Sequence, residues 1–244
     1  MDRSWRVTLG FYTCWLIAFF LIAQTSAWAG PGGIVKAAVA TPIGRAITLL
    51  LAIIFSPIII YYAIKRAKQI RRTKEDMARL SALYPQYKWL DIKDRATATF
   101  QWVWSAWNRQ KMEVSSNFTT SWYMQNQQML LDDWAARGVE NVCRIEKIKS
   151  IEPLFVQHNE ANGGDGSRLV LYISASVVDY VQDIATGKVV QGDKKVSDMQ
   201  TVWTFVWQEN AWQLNLIEPD TMEWSYLAMP NELPSALQLE SPRT

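Results

Sequence analysis

The one histidine of this sequence, His158, carries the side chain best suited to moving a proton near neutral pH. It borders a glycine-rich loop, Asn159 to Gly166, and has no second histidine with which to shuttle a proton or complete a metal site. It therefore reads as an exposed loop residue rather than a general base. Asp179 with Tyr172 and Tyr180 would supply an acid and an oxyanion donor if the three met in a pocket. Asp179 and Tyr180 are neighbours on a strand and point to opposite faces, so the trio does not converge simply. Cys14 lies in the leading apolar segment and Cys143 begins a strand, which leaves neither an intradomain disulfide nor a metal quartet. The Asn159 to Gly166 loop lacks the ligand spacing and terminal glutamate of a calcium loop. Asn117-Phe118-Thr119 fits the N-glycosylation pattern but is better explained as a helix start. The expectation is a protein that is not an enzyme and that holds no metal and no cofactor.

The tryptophans are the other residues whose type and spacing carry meaning. Trp104, Trp107, Trp203, Trp207 and Trp212 fall on periodic apolar stripes and read as core, where each ring buries a large area. The functional alternative is an aromatic-lined pocket, with Tyr172 among its residues, that accepts a lipid chain or a partner's hydrophobic helix. Trp102 and Trp224 lie off the clearest stripes and are candidates for a surface contact.

Charge is distributed unevenly. Residues 1–74 carry ten Lys and Arg against one acid, Asp2, which leaves 15 basic and 22 acidic residues for 75–244. The later part is thus net negative by 7, and a phosphate-tracking surface for nucleic acid is not expected there.

The cations belong with a membrane. Arg3 and Arg6, the apolar run Phe11 to Ala23 and the small-x-small pattern Ser26-Ala27-Trp28-Ala29 make residues 1–29 either a cleaved signal peptide or an uncleaved signal anchor. A linker over 30–42, containing Gly30-Pro31-Gly32-Gly33, leads to a transmembrane helix over 43–64. Its stretch Ala46 to Ile64 is free of charge over 19 residues, a rise of roughly 28 Å, and Pro57 inside it is tolerable if neighbouring groups satisfy the freed carbonyl. Lys65, Arg66, Lys68, Arg71, Arg72 and Lys74 follow at once, whereas only Lys36 and Arg45 precede the span. The positive-inside rule puts the C-terminal part in the cytoplasm, with the chain single-pass once the signal is removed. The same six cations either serve as the topological stop alone or also attract anionic lipid at the membrane surface.

Beyond the span, residues 65–94 form a basic juxtamembrane helix ended by Tyr84-Pro85, then a connector. The next helix, about Lys93 to Met112, buries Phe100, Val103, Trp104 and Trp107. A third runs from Thr119 or Thr120 to Arg137, with Gly138 as its stop and Trp122, Met129, Leu130 and Trp134 on a packed face. From Val142 the period becomes two. Ile145 to Val156, with Pro153 marking an edge or bulge, Leu169 to Val178, Trp203 to Trp207 and Trp212 to Leu216 read as strands with one buried face. They are joined by turns at Thr186-Gly187-Lys188 and Glu209-Asn210. Helices followed by an antiparallel meander define an α+β domain, its helices against one face of the sheet. Residues 229–244 read as a flexible tail.

The helix opening FTTSWY, its exit RGVENV and the terminal hairpin VWTFVWQENAWQLNLIE, followed by Trp224 and Tyr226, resemble the Tim-forty-four-like domain family over about residues 95–228. That family is named for a matrix-side subunit of the mitochondrial protein-import translocase and occurs also in bacterial membrane proteins. The resemblance implies a cone-like fold of the nuclear-transport-factor-two superfamily, in which a curved antiparallel sheet wraps helices around a pocket. The sequence lacks the mitochondrial subunit's long charged chaperone-recruiting region and adds a transmembrane helix. The resulting expectation is a non-enzymatic adaptor in a bacterial inner membrane whose cytoplasmic domain binds a protein partner in membrane-protein assembly or translocation. The alternatives are binding of a lipid or small apolar ligand in the cone and a structural role in a secretion assembly.

Overall fold

The computed structural model describes residues 41–238, and the chain divides into two compact units, residues 1–64 and 65–244. The export signal expected over 1–29, Cys14 and the Gly30-Pro31-Gly32-Gly33 linker lie outside the described residues, as do residues 239–244.

The first unit contributes the opening of helix α1, Pro42–Leu83. Thr41 caps it, its side-chain oxygen accepting from the Gly44 backbone N–H at 3.0 Å. Ile47, Leu50, Ile54 and Ile58 are all more than half exposed, an arrangement that costs free energy in water and none in hydrocarbon. Among the described residues, α1 is the one helix long and apolar enough to cross a bilayer. Pro57 sits within it and, having no N–H, leaves the Ile53 carbonyl without its usual donor. The Ser56 hydroxyl donates to that carbonyl at 3.1 Å, so the helix passes through the proline unbroken.

In the second unit α1 ends at Leu83, before Tyr84-Pro85, as the sequence predicts. Its buried residues are Ile70, Thr73, Asp76, Met77 and Leu80, one face of the helix. Helix α2, Trp89–Asn108, starts earlier than the predicted Lys93, because Ile92 in its first turn is drawn into the core. Helix α3, Ser121–Ala136, follows an N-cap by Thr120, whose side chain accepts from the Tyr123 N–H at 3.2 Å. Its packed face differs from the predicted one. Tyr123 and Leu131 are buried while Trp122, Met129 and Leu130 are exposed. The sheet selects Tyr123 and Leu131, and periodicity could not choose between two adjacent stripes that were both apolar.

Four antiparallel strands follow in the order β1-β2-β3-β4: β1 Val139–Gln157, β2 Arg168–Asp183, β3 Val189–Gln208 and β4 Ala211–Pro219. Register shifts at Ile145/Lys147, Ile148/Ser150, Pro153/Phe155 and Val177/Asp179 bend the strands and curve the sheet. β1 is an edge strand, which is where Pro153 is tolerated. The predicted Glu209-Asn210 turn has both residues at positive φ, 53° and 58°, as a two-residue hairpin of this hand requires. The α+β class, with helices on a curved antiparallel sheet, is as the sequence predicts.

The sheet is buried on both faces rather than one. Leu169, Leu171 and Ile173 join α2, α3, Met77 and Leu80 in the larger core, while Val170 and Tyr172 join Leu154, Phe155, Val202, Ile70 of α1 and Tyr226 in a second. Tyr226 lies on helix α4, Glu223–Ala228. Residues 229–238, read from the sequence as the start of a flexible tail, are instead tied down. His158 N–H donates to Glu232 O at 2.8 Å and Glu232 N–H donates to Val156 O at 2.9 Å, along the β1 edge. The Asn231 amide reaches Asp76 at 2.8 Å, and Leu237 is buried. This polar, proline-punctuated segment is held by backbone pairing, the Asn231 side chain and a single buried leucine, which leaves no hydrophobic period to read.

Candidate functional site: an aromatic cleft

The apolar stripes of α2 and α3 do not fill the space above the sheet. A cleft of about 370 Å³ remains, lined by Trp104 and Trp107 of α2, Trp122, Tyr123 and Trp134 of α3, and Trp203, Leu216 and Ile217 of the sheet. That volume is at the lower end of the roughly 300–1,000 Å³ usual for small-molecule pockets.

The rings are held by their surroundings. Trp104 stacks on Phe100 with centroids 5.4 Å apart, and Trp107 meets Trp134 edge-on at 5.6 Å and 61°, so that two indoles make a corner. The Trp203 indole N–H donates to Thr201 Oγ1 at 2.9 Å. Burial raises the Tyr123 hydroxyl well above its ordinary range, and the neighbouring Trp107 indole only partly opposes it.

Two cross-strand partners, Cys143 of β1 and Asp179 of β2, face the same side and enter the lining together. Asn141, buried beside them, donates from Nδ2 to Asp179 Oδ1 at 2.8 Å and is itself held by Gln110 Nε2, which donates to the Asn141 carbonyl at 2.9 Å. The Cys143 thiol lies 3.4 Å from the Trp104 carbonyl. Burial, and secondarily the Asp179 charge, pushes that thiol up to about 12, so it stays protonated at neutral pH. Among the described residues, Asp179 is the only Asp, Glu, Lys or Arg in the lining.

The residues predicted for a pocket scatter. Trp104, Trp107 and Trp203 do line the cleft. Trp212 is buried elsewhere, 5.6 Å from the Tyr87 ring and 5.4 Å from Trp207. Tyr172 lies in the second core, on the other face of the sheet, because residues of even and odd number on β2 alternate in direction. Trp102 and Trp224 are exposed by 43% and 40%, as surface contacts would be, and Trp102 stacks on Phe118. Asp179, Tyr172 and Tyr180 do not meet: Tyr172 is under Arg66, and Tyr180 faces Lys194 at 5.4 Å.

Among the six predicted membrane-surface cations, Arg66 is committed to the fold. It donates to Glu223 at 2.5 Å and to Glu152 at 2.6 Å. Arg71 pairs with Glu75 at 2.8 Å and Lys74 lies 5.7 Å from the Trp89 ring. Lys65, Lys68 and Arg72 are exposed.

His158 is not an exposed loop residue. It is 6% exposed, with Nδ1 2.9 Å from the Tyr87 hydroxyl and its ring 4.1 Å from Tyr84. Gly164, at φ +97°, closes over it: a Cβ there would lie 3.3 Å from His158 Cε1, so the glycine loop can approach only as glycine. Sequence reasoning missed Trp122 and Asn141 as cleft residues and weighed Asp179 only beside Tyr172 and Tyr180; strand register brings Asn141 to Asp179, and the packing of α3 on the sheet adds Trp122.

No family model matches the sequence, and no curated protein matches it. Three solved structures to which the chain is similar differ widely from it in sequence. The intermembrane space region of the chloroplast protein ARC6 aligns over 52% of this chain and 92% of its own, with 9% identity and a TM-score of 0.40. A polyketide cyclase candidate from Xanthomonas campestris pv. campestris aligns over 55% and 98%, with 12% identity and a TM-score of 0.27. AclR, a hydroxylase candidate from Streptomyces galilaeus, aligns over 61% and 94%, with 11% identity and a TM-score of 0.24.

Proposed function

We propose that this chain is a membrane-anchored, non-catalytic binding protein whose aromatic cleft receives a small ligand with an apolar body. The observation that carries the reading is the open space of about 370 Å³ between two helices and the sheet, walled by indole rings that packing holds in place. The chemistry of the lining favours binding over turnover. The Cys143 thiol and the Tyr123 hydroxyl are both held protonated, and the buried His158 is occupied with Tyr87.

The anchor is the apolar part of α1 and the orientation follows the cations after Ile64, so the domain faces the cytoplasm of a bacterial inner membrane. Exposed Lys65, Lys68 and Arg72 are the residues that engage anionic lipid.

A second reading is the adaptor that docks an apolar segment of a partner protein, the role the Tim-forty-four-like resemblance implies. The exposed trio Trp122, Met129 and Leu130 on α3 favours it, since Trp122 also lines the cleft.

Native mass spectrometry of the full chain in lipid nanodiscs, with a photo-crosslinking residue placed at Met129, separates these. A retained small molecule that Trp107→Ala releases supports the ligand site. A crosslinked protein and no retained mass supports the adaptor, and neither result would sink both.

A further inference from the structure

The walls of the cleft and its single charge specify more than an apolar occupant. The indoles of Trp107 and Trp134, 5.6 Å apart at 61°, meet edge to face in the lining, and the faces of aromatic rings carry negative electrostatic potential. Asp179, itself exposed at the mouth of the lining, adds a carboxylate to the same cleft, with no lysine or arginine among the described lining residues to neutralise it, in a part of the chain that is net negative by 7. Asn141 is buried and fixes the Asp179 carboxylate through its Nδ2 at 2.8 Å. Fixed charge and ring faces together favour a cation.

The same lining decides which kind of cation. A primary ammonium brings three N–H donors that must be satisfied once desolvated. Among the described lining side chains, the Asp179 carboxylate and the Gln127 amide oxygen are its chief acceptors, fewer than its three donors: Thr201 Oγ1 already accepts from the Trp203 indole, and the Asn141 amide N–H groups are donors spent on Asp179 and the Tyr180 carbonyl. A quaternary ammonium has no N–H to satisfy, a diffuse charge and a methylated surface that packs against indole faces.

We infer that the cleft is a binding site for a trimethylammonium group, held against the Trp107 and Trp134 ring faces with Asp179 as counter-charge. The inference rests on the ligand-site reading of the cleft and names the chemistry of its occupant. The group is carried either by a free compound of the choline type or by a phosphocholine headgroup.

The test is calorimetric titration of the full chain in phosphatidylglycerol nanodiscs with choline and with 3,3-dimethylbutan-1-ol, its neutral carbon isostere. Choline is expected to half-saturate at a concentration at least tenfold below the alcohol. Asp179→Asn is expected to weaken choline about tenfold and leave the alcohol unchanged, with an unaltered unfolding temperature showing that the fold is intact. Trp107→Phe, which keeps a smaller ring, is expected to weaken choline several-fold. Equal binding of choline and the alcohol would overturn the inference while leaving an apolar ligand site standing. Binding of neither, or choline binding indifferent to Asp179→Asn, would overturn it outright. Dihexanoyl-phosphatidylcholine saturating below choline assigns the group to a lipid headgroup, and the reverse order assigns it to a free compound; both orders retain the site.

Discussion

The guanidinium carbon of Arg66 lies 4.9 Å from the centre of the Tyr172 ring, in the second core of the sheet and away from the aromatic cleft. One of these residues reads from the sequence as a membrane-surface cation and the other as a pocket aromatic. Their meeting shows instead how the basic helix is fastened to the sheet: an ion-paired arginine roofs a tyrosine, and Ile70 packs beside it.

Replacing Arg66 by Met should therefore destabilise the folded domain by about 1–3 kcal/mol, since Glu223, with a side chain only 10% exposed, would be left without its partner. Glu152→Gln, at a more exposed carboxylate, should cost under about 1 kcal/mol. Thermal unfolding of the two variants beside the parent checks the order; equal losses would mean that leaving the buried Glu223 without its partner adds no cost.

Burial lowers the His158 pKa below its ordinary 6.5, outweighing the opposing pull of Glu160. The unfolded chain then binds a proton that the folded chain refuses, so stability should fall as pH drops below about 6.5 toward the depressed folded value. Tyr87, whose hydroxyl meets the ring nitrogen, is pushed up by burial to about 12 and carries no charge in this range. The unfolding temperature of the parent should decline from pH 7 to pH 5 more steeply than that of His158→Gln, and parallel profiles would show that His158 is not the titrating group.

Gly192, on β3 at φ +82°, pairs with Tyr180, and a Cβ there would stand 2.6 Å from the Asp179 carbonyl oxygen. Gly192→Ala should cost about 1–3 kcal/mol and displace the strand that carries Asp179. Unfolding measurements read the cost, and an Ala variant as stable as the parent would show that β3 simply shifts away.

The Cys143 thiol, pushed up to about 12, should alkylate at pH 7.5 at least tenfold more slowly than a free thiol. The measurement uses a Cys14→Ser background and iodoacetamide, and labelling should become fast only on unfolding.

A reporter active only in the cytoplasm, fused after Thr244, should be active, and one active only after export should be silent. The opposite pattern would move the domain across the membrane and favour a secretion-assembly role.

Element types were legible because each rests on local chemistry. The 19 uncharged residues from Ala46 to Ile64, the proline stop after Tyr84, the Thr120 cap and the Glu209-Asn210 turn are all set within a few residues of chain. The cleft was half legible. Trp104, Trp107 and Trp203 were singled out, yet Asn141 and Asp179 are joined only by the register between β1 and β2. Tyr172 misled because an aromatic on a strand looks alike from either face, and Trp207 because it lies on the cleft's face of the sheet but packs on Trp212 instead.

By itself, then, the sequence determined a bilayer-length helix with a cationic flank and an acidic α+β domain behind it, since hydropathy, charge and turn chemistry are properties of neighbours along the chain. Tertiary structure alone decided that the sheet is covered on both faces, that Arg66 belongs to the fold, that His158 is buried under Gly164, and that the tryptophans enclose a space instead of filling it. Those outcomes depend on which side chains compete for the same volume, and residues far apart in sequence settle that competition only when the strands pair.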